Sequence, residues 1–103
     1  MQIKNMISPK SHKPVANQFH IEVNNTILYQ SYNSTVVMIA AGKTYLDINY
    51  WKGSRTVSMY RNVFLNETTK QTQEKVNRGI YILKDLNQKE GAWKYDTREK
   101  TKV

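Results

Sequence analysis

The sequence predicts an α+β fold: a four-stranded antiparallel meander followed by two helices packed on one face (ββββαα), with flexible basic tails. Three observations predict it. Apolar residues alternate or run together in short stretches from Phe19 to Tyr50, punctuated by turn residues. The period then changes at Gly53-Ser54, where helix-start signals begin. The segments outside 19–87 carry neither period, so the chain divides into an N-terminal arm (1–18), one domain (19–87) and a basic C-terminal tail (88–103).

The arm contains both prolines, Pro9 and Pro14, and is expected to order only by docking. Phe19, Ile21 and Val23 alternate with His20 and Glu22, as a half-buried strand requires. Asn24-Asn25 tolerates the positive φ angles of a tight hairpin turn. The second and third strands, Thr26 to Tyr32 and Thr35 to Ala40, are joined at Asn33-Ser34. Both are apolar on both faces, which suits central strands. Ala41-Gly42 makes the next turn, and the fourth strand alternates from Lys43 to Tyr50.

Ser54 is placed to cap the first helix through its hydroxyl. At 100° per residue, Val57, Tyr60, Val63 and Phe64 fall within an arc of about 120°, a stripe able to cover the sheet. Arg55, Ser58 and Asn62 fall on the opposite side. Thr68 with Gln71 reads as a capping box for the second helix. In that helix Val76, Ile80, Leu83 and Leu86 would form the buried stripe, with Gly79 permitting close approach. Lys70, Asn77, Tyr81 and Lys84 would share its exposed face. In the tail, Ala92-Trp93-Lys94-Tyr95 is the one apolar element and would dock as an edge strand.

Composition narrows the classes of function. At 103 residues the chain is one domain, and 39% apolar with 23% charged residues describes an ordinary globule. Without cysteine there is no disulfide, thiolate nucleophile or cysteine-ligated zinc. No apolar run approaches the roughly 20 residues of a membrane span, and residues 1–18 lack the apolar core of a signal peptide. A cytoplasmic protein is the expectation. The formal charge is +8, and its placement matters more than its size. Lys4, Lys10 and Lys13 stand unopposed in the arm, and Lys52, Arg55 and Arg61 stand unopposed after the apolar middle. Such a field attracts polyanions or an acidic protein face.

Catalytic groups are sparse. The two histidines, His12 in the arm and His20 on the first strand, fit no nucleophilic triad, and no spacing suits a metal. Gly42-Lys43-Thr44 lacks the upstream glycine of a phosphate-binding loop and runs into a strand. Nothing calls for a cofactor, and the chain is expected not to be an enzyme. The basic and aromatic residues carry the stronger signal. Tyr81 between Lys70 and Lys84, and Trp93 beside Lys94, have the makeup of a single-strand stacking platform. Arg55 and Asn62 could reach phosphate or base edges from the first helix. Tyrosine, tryptophan and arginine also dominate protein–protein hot spots, so both kinds of partner stay open.

Two segments repay comparison. Gln30-Ser31-Tyr32-Asn33-Ser34-x-Val36, and then Trp51-x-x-Ser54-x-Thr56 with Tyr60 and Phe64-Leu65, resemble a diffuse set of short uncharacterised phage and prophage proteins. Those carry Ser-Tyr-Asn-Ser/Thr on a strand and, about twenty residues later, an aromatic, Ser-x-Thr-Thr and a helix ending Phe-Leu. The likeness covers roughly residues 19–66. Here Val57 stands for the usual second threonine and Tyr60 for a common histidine, which favours a structural role for the motif. Tyr32-Asn33-Ser34 would serve the turn and Ser54 with Thr56 the helix start.

The resemblance implies a small accessory protein that binds host machinery for handling nucleic acid or defence and inhibits it, an anti-CRISPR-type inhibitor foremost. The partner would be a host protein or protein–nucleic-acid complex, such as a CRISPR effector. Direct DNA or RNA binding is the alternative, and a structural or assembly protein of the virion a further one. The expected binding residues are Lys52, Arg55, Asn62, Lys70, Tyr81, Lys84, Trp93 and Lys94.

Overall fold

In the computed structural model, residues 1–87 are described. The expected edge strand at 92–95, with Trp93 and Lys94, lies outside the described residues. Strands β1 (Gln2–Ile7), β2 (Pro14–Val23), β3 (Thr26–Ser31), β4 (Ser34–Ala40) and β5 (Lys43–Asp47) precede helices α1 (Arg55–Leu65) and α2 (Thr69–Asn77), and β6 (Tyr81–Lys84) follows. They form one sheet in the order β1-β2-β3-β4-β5-β6. The first five strands pair antiparallel with their neighbours, and β6 runs parallel to β5. A parallel pair needs a crossover, and α1 and α2 supply it.

Turn chemistry sets the meander. Asn24 and Asn25 have φ of 47° and 62°, and Ala41 and Gly42 have 53° and 74°. Both are two-residue turns whose positive φ angles give a backbone twist that matches the right-handed twist of the strands they join. The turn between β3 and β4 lies one residue earlier than expected: Tyr32 has φ 53°, and its N–H donates to the Asn17 carbonyl at 2.7 Å. As central strands, β3 and β4 are buried on both faces. Tyr29, Val37 and Leu46 face the helices, beside Met6, Trp51, Tyr60 and Tyr81. Phe19, Ile21 and Leu28 cluster on the other face with Ile3 and Met38.

Residues 1–18, expected to order only by docking, do dock. Ile3 pairs with Ile21 and Asn5 with Phe19, so β1 runs beside β2 at the sheet edge. A register shift between Asn5 and Ile7 hides this strand from a period-two reading. The Asn5 side chain donates to the Val15 carbonyl at 2.9 Å, and Met6 reaches the core.

The second helix is shorter than the sequence suggested. Its capping box is present: Gln71 N–H donates to Thr68 Oγ1 at 3.1 Å, and Thr68 N–H to Gln71 Oε1 at 2.8 Å. Its stop is Gly79, at φ 73°, not a mid-helix glycine. Gly79 N–H bonds the Val76 carbonyl and Ile80 N–H the Lys75 carbonyl, the double bond pattern that closes a helix end. The stripe of Ile80, Leu83 and Leu86 is therefore corrected. Ile80 and Leu83 are exposed, and residues 81–84 follow period two as a strand against β5. In α1, Tyr60 is buried and Val57 and Phe64 pack on the core, but Val63 is 43% exposed. Arg61 takes the inward place instead.

Candidate functional site

The turn between the helices is built by the left-handed backbone of one residue and the side chain of another. Asn66, at φ 54°, ends α1, its N–H bonding the Val63 carbonyl while Glu67 N–H bonds the Asn62 carbonyl. Two residues later Thr68 caps α2. This tight link leaves an open groove of about 740 Å³, lined by Arg55, Ser58 and Asn62 of α1 and by Glu67, Thr69 and Gln71.

Behind the groove lies Arg61, fully buried. Its Nη1 donates to the Trp51 carbonyl, and its Nη2 to Asn62 Oδ1 at 3.0 Å and Thr69 Oγ1 at 3.1 Å. The guanidinium also lies 5.5 Å from the centre of the Trp51 ring. Its Nε has no hydrogen-bond partner, and none of the ion pairs among the described residues includes it. Burial lowers its pKa, against the pull of Glu67, but a guanidinium stays charged in a protein. A buried cation without its own carboxylate is uncommon because desolvating a charge costs several kcal/mol (order of magnitude).

The carboxylate on the groove, Glu67, is already engaged. It accepts from Lys75 Nζ at 2.7 Å and from Thr72 Oγ1 at 2.8 Å. Burial works to raise its pKa, but those hydrogen bonds carry it below the ordinary value. Lys75 is raised in turn, first by its hydrogen bond to Glu67. Among the described residues, no group of three or more His, Asp or Glu side chains could hold a metal ion. No helix among them is long and apolar enough to cross a membrane.

Of the residues expected to bind, Arg55 and Asn62 line the groove, and Lys70 sits in the first turn of α2 between Thr69 and Gln71. Lys52 is exposed just before α1; its Nζ lies 4.7 Å over the Trp51 ring and donates to Gln73 of α2 at 3.2 Å. Two others fall elsewhere. Tyr81 is a buried core residue with Lys75 Nζ 5.2 Å over its ring, which corrects its expected place on an exposed face. Lys84 stands over Tyr45 at 5.6 Å, on the sheet face turned away from the helices. Sequence reasoning passed over Arg61 and Thr69. Arg61 lies about 40° beyond Val57 on the helical wheel, at the border of the apolar stripe, so the helix read alone did not mark it as buried.

The segments 30–36 and 51–57 meet at the start of α1, around a hollow of about 340 Å³ lined by Ser31, Tyr32, Ser34, Tyr50, Ser54 and Thr56 among others. Ser54 Oγ accepts from Val57 N–H at 3.1 Å, so its hydroxyl serves the helix cap. Comparison with known proteins finds no matching family model, curated protein or solved structure.

Proposed function

We propose that this chain is a non-enzymatic accessory protein of a phage or prophage. It binds and inhibits host machinery that handles nucleic acid or serves defence, with a CRISPR effector the leading target, in the bacterial cytoplasm. The observation that carries the reading is the groove between α1 and α2. Arg55 lines it, Arg61 lies behind it in no ion pair among the described residues, and the lining carboxylate of Glu67 is paired with Lys75. An unneutralised cationic concavity favours an acidic or polyanionic partner. The phage origin rests on the resemblance of residues 30–36 and 51–65 alone.

The test is target cleavage by a panel of purified CRISPR effectors, with and without the protein. Inhibition that Arg55→Glu reduces supports the reading. Full activity of every effector at saturating protein counts against that target.

Direct DNA or RNA binding is the second reading, favoured by the same groove. Its affinity would fall steeply with salt, because each neutralised phosphate releases a counterion. A gel shift absent even at about 50 mM salt removes it.

A further inference from the structure

We propose that the groove between α1 and α2 is a phosphate-binding site, its polarity set by the buried Arg61. The inference rests on the reading of that groove as the contact surface, and it names the chemistry recognised there. Arginine carries only donors, so the Asn62 atom 3.0 Å from Arg61 Nη2 is necessarily its amide oxygen. That fixes the amide: Nδ2 turns to Thr69 Oγ1, 3.1 Å away. Thr69 Oγ1 then receives both Arg61 Nη2 and Asn62 Nδ2, which fills its two lone pairs. Its own proton has to point elsewhere, and the second Nδ2 proton of Asn62 is likewise free to donate.

Gln71 spends its oxygen on Thr68 N–H, so its amide nitrogen is what remains to offer. The first intrahelical bond of α2 is Thr72 N–H to the Thr68 carbonyl, so the Thr69 and Lys70 N–H groups precede it and have no intrahelical acceptor. Arg55 adds an exposed guanidinium at the opposite wall. Glu67 turns one oxygen to Thr72 and the other to Lys75.

Thr69 Oγ1 has both lone pairs filled, and Asn62 and Gln71 each have their oxygen engaged once, so what this wall offers the groove is mainly hydrogen-bond donors. A buried cation with an unpartnered Nε sits directly behind two of them. The ligand such a surface selects is an oxyanion. Its donors come from two helices and outnumber the two oxygens of a carboxylate, whereas a phosphate brings more oxygens and suits a helix N-terminus. The phosphate can belong to a nucleic-acid backbone or be a free ion, and the experiment separates these sources.

The full chain, labelled with ¹⁵N, is titrated with inorganic phosphate against chloride at matched ionic strength, then with a short single-stranded oligonucleotide. Saturable shifts of the Thr69 and Lys70 backbone amides and the Asn62 side-chain amide are expected with phosphate and not with chloride. Asn62→Asp supplies the carboxylate Arg61 lacks and removes a donor. It should therefore raise the melting temperature while weakening phosphate by about tenfold or more, the effect of losing a charge-assisted hydrogen bond. Arg55→Gln, at an exposed helix start, should weaken phosphate without touching the fold. Tighter binding of the oligonucleotide identifies a backbone phosphate, and equal affinity identifies a lone phosphate group.

Shifts that never saturate, that spread over surface lysines, or that persist unchanged in both variants overturn the proposal. Phosphate binding without inhibition of any effector would sink the CRISPR-effector reading and leave this site standing. Inhibition by a wild-type protein whose groove amides ignore phosphate would do the reverse.

Discussion

Asn87 and Thr35, 52 residues apart, are joined through both ends of one side-chain amide. Thr35 N–H donates to Asn87 Oδ1 at 2.7 Å, and Asn87 Nδ2 donates to the Thr35 carbonyl at 2.9 Å. The amide reproduces the paired bonds of an antiparallel neighbour at the start of β4. Asn87→Ala leaves both main-chain groups of a fully buried residue without that partner. It should cost about 1–3 kcal/mol per group left unsatisfied. Urea unfolding with an unchanged midpoint would show that water replaces the amide freely.

Asp47 organises the exit from β5. Its Oδ2 accepts from the N–H groups of Asn49 and Tyr50, each at 3.0 Å, and its Oδ1 from Leu86 N–H at 2.7 Å. One buried carboxylate therefore ties the turn before α1 to the chain after β6. Asp47→Asn replaces an acceptor oxygen with a donor that faces N–H groups. Loss of about 1.5–3 kcal/mol for each charge-assisted bond broken is expected in chemical denaturation.

The Glu67, Lys75 and Tyr81 cluster predicts how stability varies with pH. The Glu67 pKa is lowered from its ordinary 4.5, so its contribution is complete above that value and lost as pH falls through the lower folded one. The Lys75 pKa is raised from 10.5 and the Tyr81 pKa from 10.0. Their contributions are complete below those values and lost as pH rises through the folded ones. Glu67→Gln should flatten the acid side of a plot of melting temperature against pH and also weaken the alkaline side. An unaltered acid limb would remove Glu67 from this role.

Two turns offer opposite signs. Ala41 occupies the left-handed region at φ 53° in the first position of an Ala-Gly turn. Ala41→Asn should stabilise by about 1 kcal/mol, because asparagine tolerates that conformation. Gly79→Ala introduces a Cβ at φ 73°, where space is open but the backbone is unfavourable for an L residue. It should destabilise by about 1 kcal/mol. Thermal melts of the two variants moving in the same direction would contradict the assigned turn geometry.

Local chemistry made much of the fold legible. Asn24-Asn25 and Ala41-Gly42 announced their hairpins, Ser54 its helix, and Thr68 with Gln71 the start of α2. Each is a contest between neighbouring backbone groups, decided within a few residues. The strand at 2–7 was hidden because its bulge at Asn5 breaks the alternation that would reveal it. The stretch after Gly79 was misread because Val76, Ile80 and Leu83 mimic a helical stripe, whereas the left-handed Gly79 resets the period. Half of the groove was visible in Arg55 and Asn62. Thr69 and Arg61 were not, since a helix face read alone does not say which charge the neighbouring helix will bury.

By itself the sequence determined the antiparallel meander, the caps and the cationic surplus after the apolar middle, because these follow from φ preferences, side-chain periodicity and charge count. Only the tertiary structure decided that Tyr81 is core, that Lys84 stands on the far face, and that β6 lies parallel to β5. It alone brought Thr69 of one helix against Arg61 and Asn62 of the other. The physical reason is that hydrogen-bond polarity in a buried network depends on which partners meet. Asn62 and Thr69 each carry donors and acceptors in the unfolded chain, and Arg61 engages an oxygen of each only once the two helices meet.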